Sequence, residues 1–375
     1  AQCLVGSEMC IRDRSRSFAM SKSELAPTPV AKTPEILDIL SSYMDPGKGG
    51  SNLSATALTK YAGCQLKFYY EHILRIKTDE EAADYMDAIT QGSIVHDVME
   101  QLYLPPEMRN IYLERPQVID AGVIQSRLCD VATIDRLVRR SVNKRFFHLA
   151  DKDLDRPLRG SSAHVAKILR SQVLGILRFD LSQAPFFLYG VEIDGNVSVK
   201  MKDGRLVNMR YAIDRLDRPL VIIDGAEREY MRIVDYKTGS IHAEADTMES
   251  VFNGDYKSRN LLQLWLYANI FDALPQKNFD KKGPRPVLDL FSADRALPKE
   301  PFILELYDIS FISGGKHVYP KVEGAVQSTH VEQNAIYLDL LEQTLEGLFD
   351  PEVPFKPASD EQTCRICPFK TICWR

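Results

Sequence analysis

The spacing of apolar positions changes along the chain. From Leu53 it is helical: Ser54 is a good helix cap, and Ala55, Leu58, Tyr61 and Ala62 follow it. Gly92 to Glu100 opens a further helix, capped by Ser93 or Gly92. From about Ala121 to Ala184 two long amphipathic segments are expected. After Pro185 the period shortens to two. Phe186 to Val191 reads as a strand, Asn196 to Lys200 alternates, Asp203-Gly204 is a hairpin turn, and Arg205 to Ile213 is the return strand with Asp214 at its end. Pro219 and Gly225 read as loop. Ile233-Val234-Asp235-Tyr236-Lys237-Thr238-Gly239 reads as a buried strand running into a turn. A helix is expected over about Asn260 to Leu274, strands over about Val287 to Phe291 and Phe302 to Ser310, and a last amphipathic helix over about Val331 to Phe349. The fold class is α/β: a mixed central sheet flanked by helices, with a helical insertion over about 121–184.

The ends read differently. Residues 1–14, AQCLVGSEMCIRDR, fit no element downstream and resemble translated sequencing-adaptor read-through; the alternative is a native tail. Either way they are set aside, with Cys3 and Cys10. Residues 15–51, with Pro27, Pro29, Pro34 and Pro46, read as a linker containing a short helix around Glu35 to Tyr43. The domain is placed at 52–375. Its tail, 358–375, carries Cys364, Cys367 and Cys373.

Composition narrows the class. A hydrophobic fraction of 45% and a charged fraction of 26% are those of a soluble globular protein. No apolar run is long enough to cross a membrane. A net charge of −5 gives no global attraction for nucleic acid, so any DNA contact needs basic residues gathered locally. The strongest such cluster is Arg136, Arg139, Arg140, Lys144 and Arg145, either a solvated helix face or a DNA-backbone surface. Seven cysteines, an odd count without a secretory signal, point to a reducing, cytoplasmic compartment.

The candidate chemistry centres on Asp235 and Lys237. Side chains two apart on a strand share a face, so a carboxylate that can hold a hard cation stands beside an ammonium that can steady a water or phosphate oxygen. An ordinary strand-end ion pair is the bland alternative. Other polar residues join the candidates. His96 and Glu100 lie one turn apart on a helix, as do Gln263 and Tyr267. Cys364, Cys367 and Cys373 can chelate locally and need a fourth ligand; four thiolates fit zinc or a four-iron four-sulfur (4Fe–4S) cluster.

The ordered set G-x-x-x-H at His96, I-D-R-L-D at Asp214, V-D-Y-K-T-G at Asp235, Q-x-x-x-Y at Gln263 and C-x2-C-x5-C at the end resembles the PD-(D/E)XK nuclease superfamily. The nearest look is to the RecB-type nuclease domains, and among them the iron–sulfur nuclease module of AddB-type helicase–nucleases. The resemblance implies a restriction-endonuclease-like core and Mg2+- or Mn2+-dependent DNA hydrolysis, most readily exonucleolytic on a single strand, in double-strand break processing beside an AddA-like helicase partner. It implies that His96, Asp214, Asp235 and the Tyr236 backbone carbonyl bind the metal, and that Lys237 activates the attacking water. Gln263 and Tyr267 would steady the site and the strand, with Glu192 as an extra acid. It assigns Cys64 as the fourth cluster ligand and favours iron–sulfur over zinc. Ala212 departs from the glycine the family often places two residues before the first aspartate. Two other readings stay open: a CRISPR-associated four-cysteine exonuclease and a non-catalytic DNA-binding or scaffold module of the same fold.

Overall fold

The computed structural model describes residues 27–44, 47, 50–76, 86–104, 116–223, 226–274, 285–292, 298–359, 362–365 and 367–373. The leader at 1–14 and Gly225 lie outside the described residues.

Part of the segment read as linker docks on the domain. Helix α1 (Pro34–Ser41) buries Ile36 and Leu40, one turn apart. Ahead of it, Val30 forms a two-bond bridge with Phe355, and Lys32 Nζ donates to the Gly347 and Asp350 carbonyls at 2.8 and 2.7 Å. After the short β1 (Leu53–Ser54), α2 (Ala55–Gly63) starts where its cap puts it: Ser54 Oγ accepts from the Ala57 amide at 3.1 Å. Helix α3 (Gln65–Phe68) follows.

Helix α4 (Ala88–Tyr103) starts before Gly92. Asp87 is the cap, accepting from Thr90 N–H at 2.8 Å, so Ser93 and Gly92 lie inside the helix. Gly92 serves close approach: a Cβ there would lie 3.1 Å from Thr238 Oγ1, in the loop after the central strand. Strand β2 (Gln117–Ile119) comes next. The insertion expected as two helices is three: α5 (Ala121–Cys129), α6 (Val131–Arg145) and α7 (Gly160–Gln183). Asp130 breaks the first run by ending α5 and capping α6, with Oδ1 accepting from Thr133 N–H at 3.0 Å.

Strands β3 (Phe186–Lys200) and β4 (Leu206–Ile223) form one long antiparallel hairpin with an irregularity between Leu188 and Gly190. The expectation that Asp214 ends a strand is corrected here. β4 runs on through Pro219, which lies opposite Phe186 where β3 begins. The run Asp214-Arg215-Leu216-Asp217-Arg218 looks too charged for a buried strand, yet Arg215 and Asp217 are fully buried because they pair. Strand β5 (Ala226–Glu229) returns along β4, and β6 (Met231–Lys237) follows. Then come β7 (Glu244–Ala245), α8 (Met248–Phe252), α9 (Leu261–Ala273), β8 (Val287–Leu288) and β9 (Phe302–Asp308). Strands β10 (His317–Val318), β11 (Lys321–Val322) and β12 (Ala325–Val326) precede α10 (Asn334–Phe349) and the short α11 (Gln362–Arg365).

The main sheet has the order β10-β9-β6-β4-β3-β2. It is mixed: β6 is antiparallel to β4 and parallel to β9. Both faces are covered, so β6 and β9 are buried almost throughout, charged residues included. One core gathers α2, α9 and α10 around Ile233, Leu304 and Trp265. The other gathers α4, α6 and α7 around Val234, Tyr236 and Ile176. Among the described residues, no helix is long and apolar enough to cross a membrane.

Candidate active site

The site lies where β4 and β6 part. Their ladder begins at Arg215 opposite Val234, one residue past Asp214. Beyond it the Tyr236 amide has no strand carbonyl from β4 to bond, and Asp214 Oδ2 accepts its hydrogen at 2.7 Å instead. The loss of pairing therefore fixes a carboxylate at the gap.

Helix α4 supplies His96 to that gap. His96 Nδ1 lies 2.8 Å from Glu192 Oε1 and 3.6 Å from Asp214 Oδ1, and Nε2 lies 3.4 Å from the Tyr236 carbonyl. Glu192 sits on β3 between the pairs Val191–Arg215 and Ile193–Ile213, which places it opposite Asp214. Its φ of 51° is left-handed, an unusual conformation for a glutamate within a strand. One donor atom from each of His96, Glu192 and Asp214 falls within 4.8 Å of the others.

Asp235 is held differently. Its Oδ2 lies 2.6 Å from Lys237 Nζ, and its Oδ1 accepts from Gln263 Nε2 at 2.9 Å. The structure thus gathers His96, Glu192 and Asp214 into one donor set, with Asp235 turned to Lys237 and α9. The expected trio of His96, Asp214 and Asp235 is not the tightest grouping; Glu192 takes the third place, because the backbone turn at that residue brings it to the histidine. Tyr267 is buried one turn past Gln263. Burial first, then the charges of Asp214 and Asp235, raises its phenol above the usual range.

The electrostatics favour a cation. Burial raises the Asp214 carboxyl, against the opposing charge of His96. Burial likewise pushes Asp235 up to about 6, against the pull of Lys237. Burial disfavours the imidazolium of His96, but Asp214, Glu192 and Asp235 outweigh it and raise it to about 10. Lys237 is treated the same way: desolvation lowers it, and Asp235 and Asp214 carry it above the ordinary lysine value. A proton on His96 thus occupies charge space that a divalent ion would fill. Two carboxylates, an imidazole and a backbone carbonyl form a mostly hard, oxygen-rich donor set of the kind that magnesium and manganese accept.

Behind the site lies a buried ionic lattice that sequence reading missed. Arg215 donates to Asp180 at 2.8 Å and Asp217 at 2.6 Å; Arg232 donates to Asp217 at 2.8 and 2.9 Å and to Glu305 at 2.8 Å. It ties β4, β6, β9 and α7 together one residue from Asp214. Asp180, Arg232 and Glu305 lie far in sequence from Arg215 and Asp217, so no local pattern signals it. Arg259 was missed as well. It lines the cleft with His96, Glu192 and Lys237, its guanidinium 4.7 Å from the Tyr256 ring. The basic-aromatic run Tyr256-Lys257-Ser258-Arg259 ahead of α9 was the available signal.

The basic cluster of α6 is divided. Arg140 and Arg139 face Asp155 at 2.5 and 3.8 Å, and Arg136 contacts Thr133 at 3.5 Å. Arg145 alone lines the cleft, where it pairs with Asp97 at 3.1 Å. Lys144 is exposed on the same helix.

The four cysteines meet in a cavity of their own. Cys64, Cys364, Cys367 and Cys373 line one small cavity with Tyr70 and Phe369, and none forms a disulfide. Cys373 Sγ lies 4.0 Å from Tyr70 Oη. Burial, Cys373 and Cys64 together push the Tyr70 phenol up to about 12. The backbone already joins these ends: Leu66 N–H donates to the Lys356 carbonyl at 3.1 Å, and Lys356 N–H to Gln65 Oε1 at 2.9 Å.

Comparison with known proteins agrees with this architecture. Residues 52–374 match the model of the PD-(D/E)XK nuclease superfamily. The chain is 21% identical, over 384 aligned positions covering 86% of it, to the B subunit of the ATP-dependent helicase/deoxyribonuclease of Thermoanaerobacter sp. (strain X514). The protein of that name from Thermoanaerobacter pseudethanolicus (strain ATCC 33223 / 39E) matches to the same extent. The chain spans about 30% of the length of these curated relatives. A family match across nearly the whole described domain, over a mixed sheet whose central strand carries the D-x-K pair, is decisive: the chain belongs to the PD-(D/E)XK nuclease superfamily.

Proposed function

We propose that the chain is a divalent-metal-dependent deoxyribonuclease that degrades single-stranded DNA from an end, as the nuclease module of a larger helicase–nuclease. The observation that carries the hydrolytic reading is the convergence of His96, Glu192 and Asp214 beside the Asp235–Lys237 pair. The relatives, named as parts of an ATP-dependent helicase/deoxyribonuclease, support the DNA substrate and a helicase partner.

His96, Glu192, Asp214 and the Tyr236 carbonyl would hold Mg2+ or Mn2+, and Asp235, paired to Lys237, would add its charge beside them. When bound, such an ion neutralises charge on the phosphodiester and lowers the pKa of a coordinated water. The chain's own groups do the rest. Lys237 places a compact positive charge where the attacking oxygen develops. Gln263 fixes the Asp235 rotamer, leaving the other oxygen to Lys237. Arg145 and Arg259 at the cleft wall suit the flanking phosphates. The deciding experiment is cleavage of labelled DNA with and without magnesium, wild type against Lys237→Ala. Intact DNA with both proteins at every magnesium and manganese concentration overturns the reading.

The four-cysteine cavity would hold a 4Fe–4S cluster as a structural clasp. Its support is the meeting of Cys64 with the terminal trio across almost the whole domain. Four thiolates also accept zinc, and the visible spectrum of anaerobically purified protein separates the two.

A further inference from the structure

Beyond the cleft lies a second depression that the hydrolytic reading does not use. Past Lys237 the chain continues as Thr238-Gly239-Ser240, and these residues line both the cleft and a neighbouring trough of about 640 Å³. The trough lies off the C-terminal ends of the parallel strands β6 and β9. There Ile309 N–H donates to the Lys237 carbonyl at 3.0 Å, and Ser310 Oγ to that of Thr238 at 3.4 Å. Open α/β sheets take ligands off that end.

The lining carries more lysines than acids in a chain of net charge −5. Lys257, Lys316 and Lys321 line the trough, against Asp308 and Glu244; Asp308 is held by Lys316 at 2.6 Å. Phe311, also in the lining, is 61% exposed, and the Lys316 ammonium lies 4.7 Å from its ring centroid. Tyr256, 40% exposed, stands between the two depressions. Its ring centroid is 4.1 Å from that of His242 in the trough lining, and Arg259 of the cleft lies over it. One exposed aromatic is ordinary. Two, each joined to a cation, one in the trough and one at its border with the cleft that holds Lys237, match how unpaired bases and their phosphates are held.

We propose that the trough is the track of a single nucleic-acid strand, its backbone running over the lysines and its bases stacking on Phe311 and Tyr256. The track rests on the nuclease reading only for where the strand leads. A duplex does not fit, because its base faces are already stacked on each other.

The test is fluorescence anisotropy of labelled oligothymidylate with the full chain in EDTA, where binding is read without cleavage. Phe311→Ala is expected to weaken binding about tenfold, and Phe311→Trp to keep it. Lys257→Glu and Lys321→Glu are expected to weaken it and to flatten its salt dependence. All three positions are at the surface, so folding does not confound the result. Wild-type affinity in these variants, or equal competition by blunt duplex, overturns the track. If the binding pattern holds while no metal supports cleavage, the nuclease reading fails and the track stands; cleavage without the pattern is the reverse.

Discussion

Lys237 Nζ lies 2.6 Å from Asp235 Oδ2, two residues back on the same strand, while Gln263 holds the other carboxylate oxygen. The pair is therefore locked before any substrate arrives, with the ammonium on the cleft side, 23% exposed. Lys237→Ala is expected to lower the single-turnover cleavage rate at least about a hundredfold, the order seen when one preorganised donor is removed. Lys237→Arg should not rescue it, because a planar fork replaces a point charge. Rapid-quench kinetics with saturating magnesium measure both, and rates near wild type in either variant refute the assigned role.

Glu192 stands at φ 51° so that its carboxylate can reach His96. A non-glycine residue in that region costs about 1–3 kcal/mol. Glu192→Gly should relieve the backbone and also remove one of three clustered acids. The expected result is a variant as stable as wild type, or more stable by about 1 kcal/mol, that needs more magnesium and cleaves at least about tenfold more slowly. Thermal unfolding and a metal titration of the rate check the two halves. A large loss of stability would show that Glu192 holds the strand rather than the site.

What could be read from the sequence follows from how local each signal is. Ser54 caps α2, and the apolar run into Asp235 is β6, because a cap or a period is written in a few neighbouring residues. The order His96, Asp214, Asp235, Lys237, Gln263 was likewise visible as spaced motifs. The extent of β4 was not: Arg215 and Asp217 look like surface charges until Asp180 and Arg232 are placed against them. Nor was the standing of Glu192 beside the histidine, which comes from its backbone dihedral. The end of α5 at Asp130 was hidden because an aspartate cap between two amphipathic runs leaves the apolar period nearly intact.

The cysteine cavity makes a separable claim about stability. A cluster bound by Cys64 and the terminal trio would close a loop of about three hundred residues, and the chain-entropy value of a cross-link of that span is roughly 5–6 kcal/mol. Anaerobically purified wild type is expected to be coloured. Cys64→Ser should bleach it and lower the urea midpoint, while Cys129→Ser, an exposed cysteine away from the cavity, should do neither. Colourless wild type carrying stoichiometric zinc refutes the iron–sulfur assignment, although the clasp would remain.

His330 predicts a pH dependence remote from the site. It is fully buried between β9 and α9: its Nδ1 accepts from the Phe302 amide at 3.1 Å, and its carbonyl accepts from Trp265 Nε1 at 2.9 Å. Nδ1 must therefore be unprotonated in the native state, and burial drops the imidazole from its ordinary 6.5 to about 4. The unfolded chain takes up a proton near pH 6.5 and the folded chain does not until about 4. Between those values the unfolded state binds more protons, so stability is full above 6.5, falls as the pH drops towards 4, and loses nothing further from this group below it. The span corresponds to about 3 kcal/mol. His330→Asn can keep an acceptor for Phe302 and does not titrate. It is expected to be less stable than wild type at about pH 7 through lost packing, and to lose less between about pH 7 and about pH 4.5. Urea unfolding at the two pH values gives the double difference, and equal losses in the two proteins would remove His330 as the source of acid sensitivity.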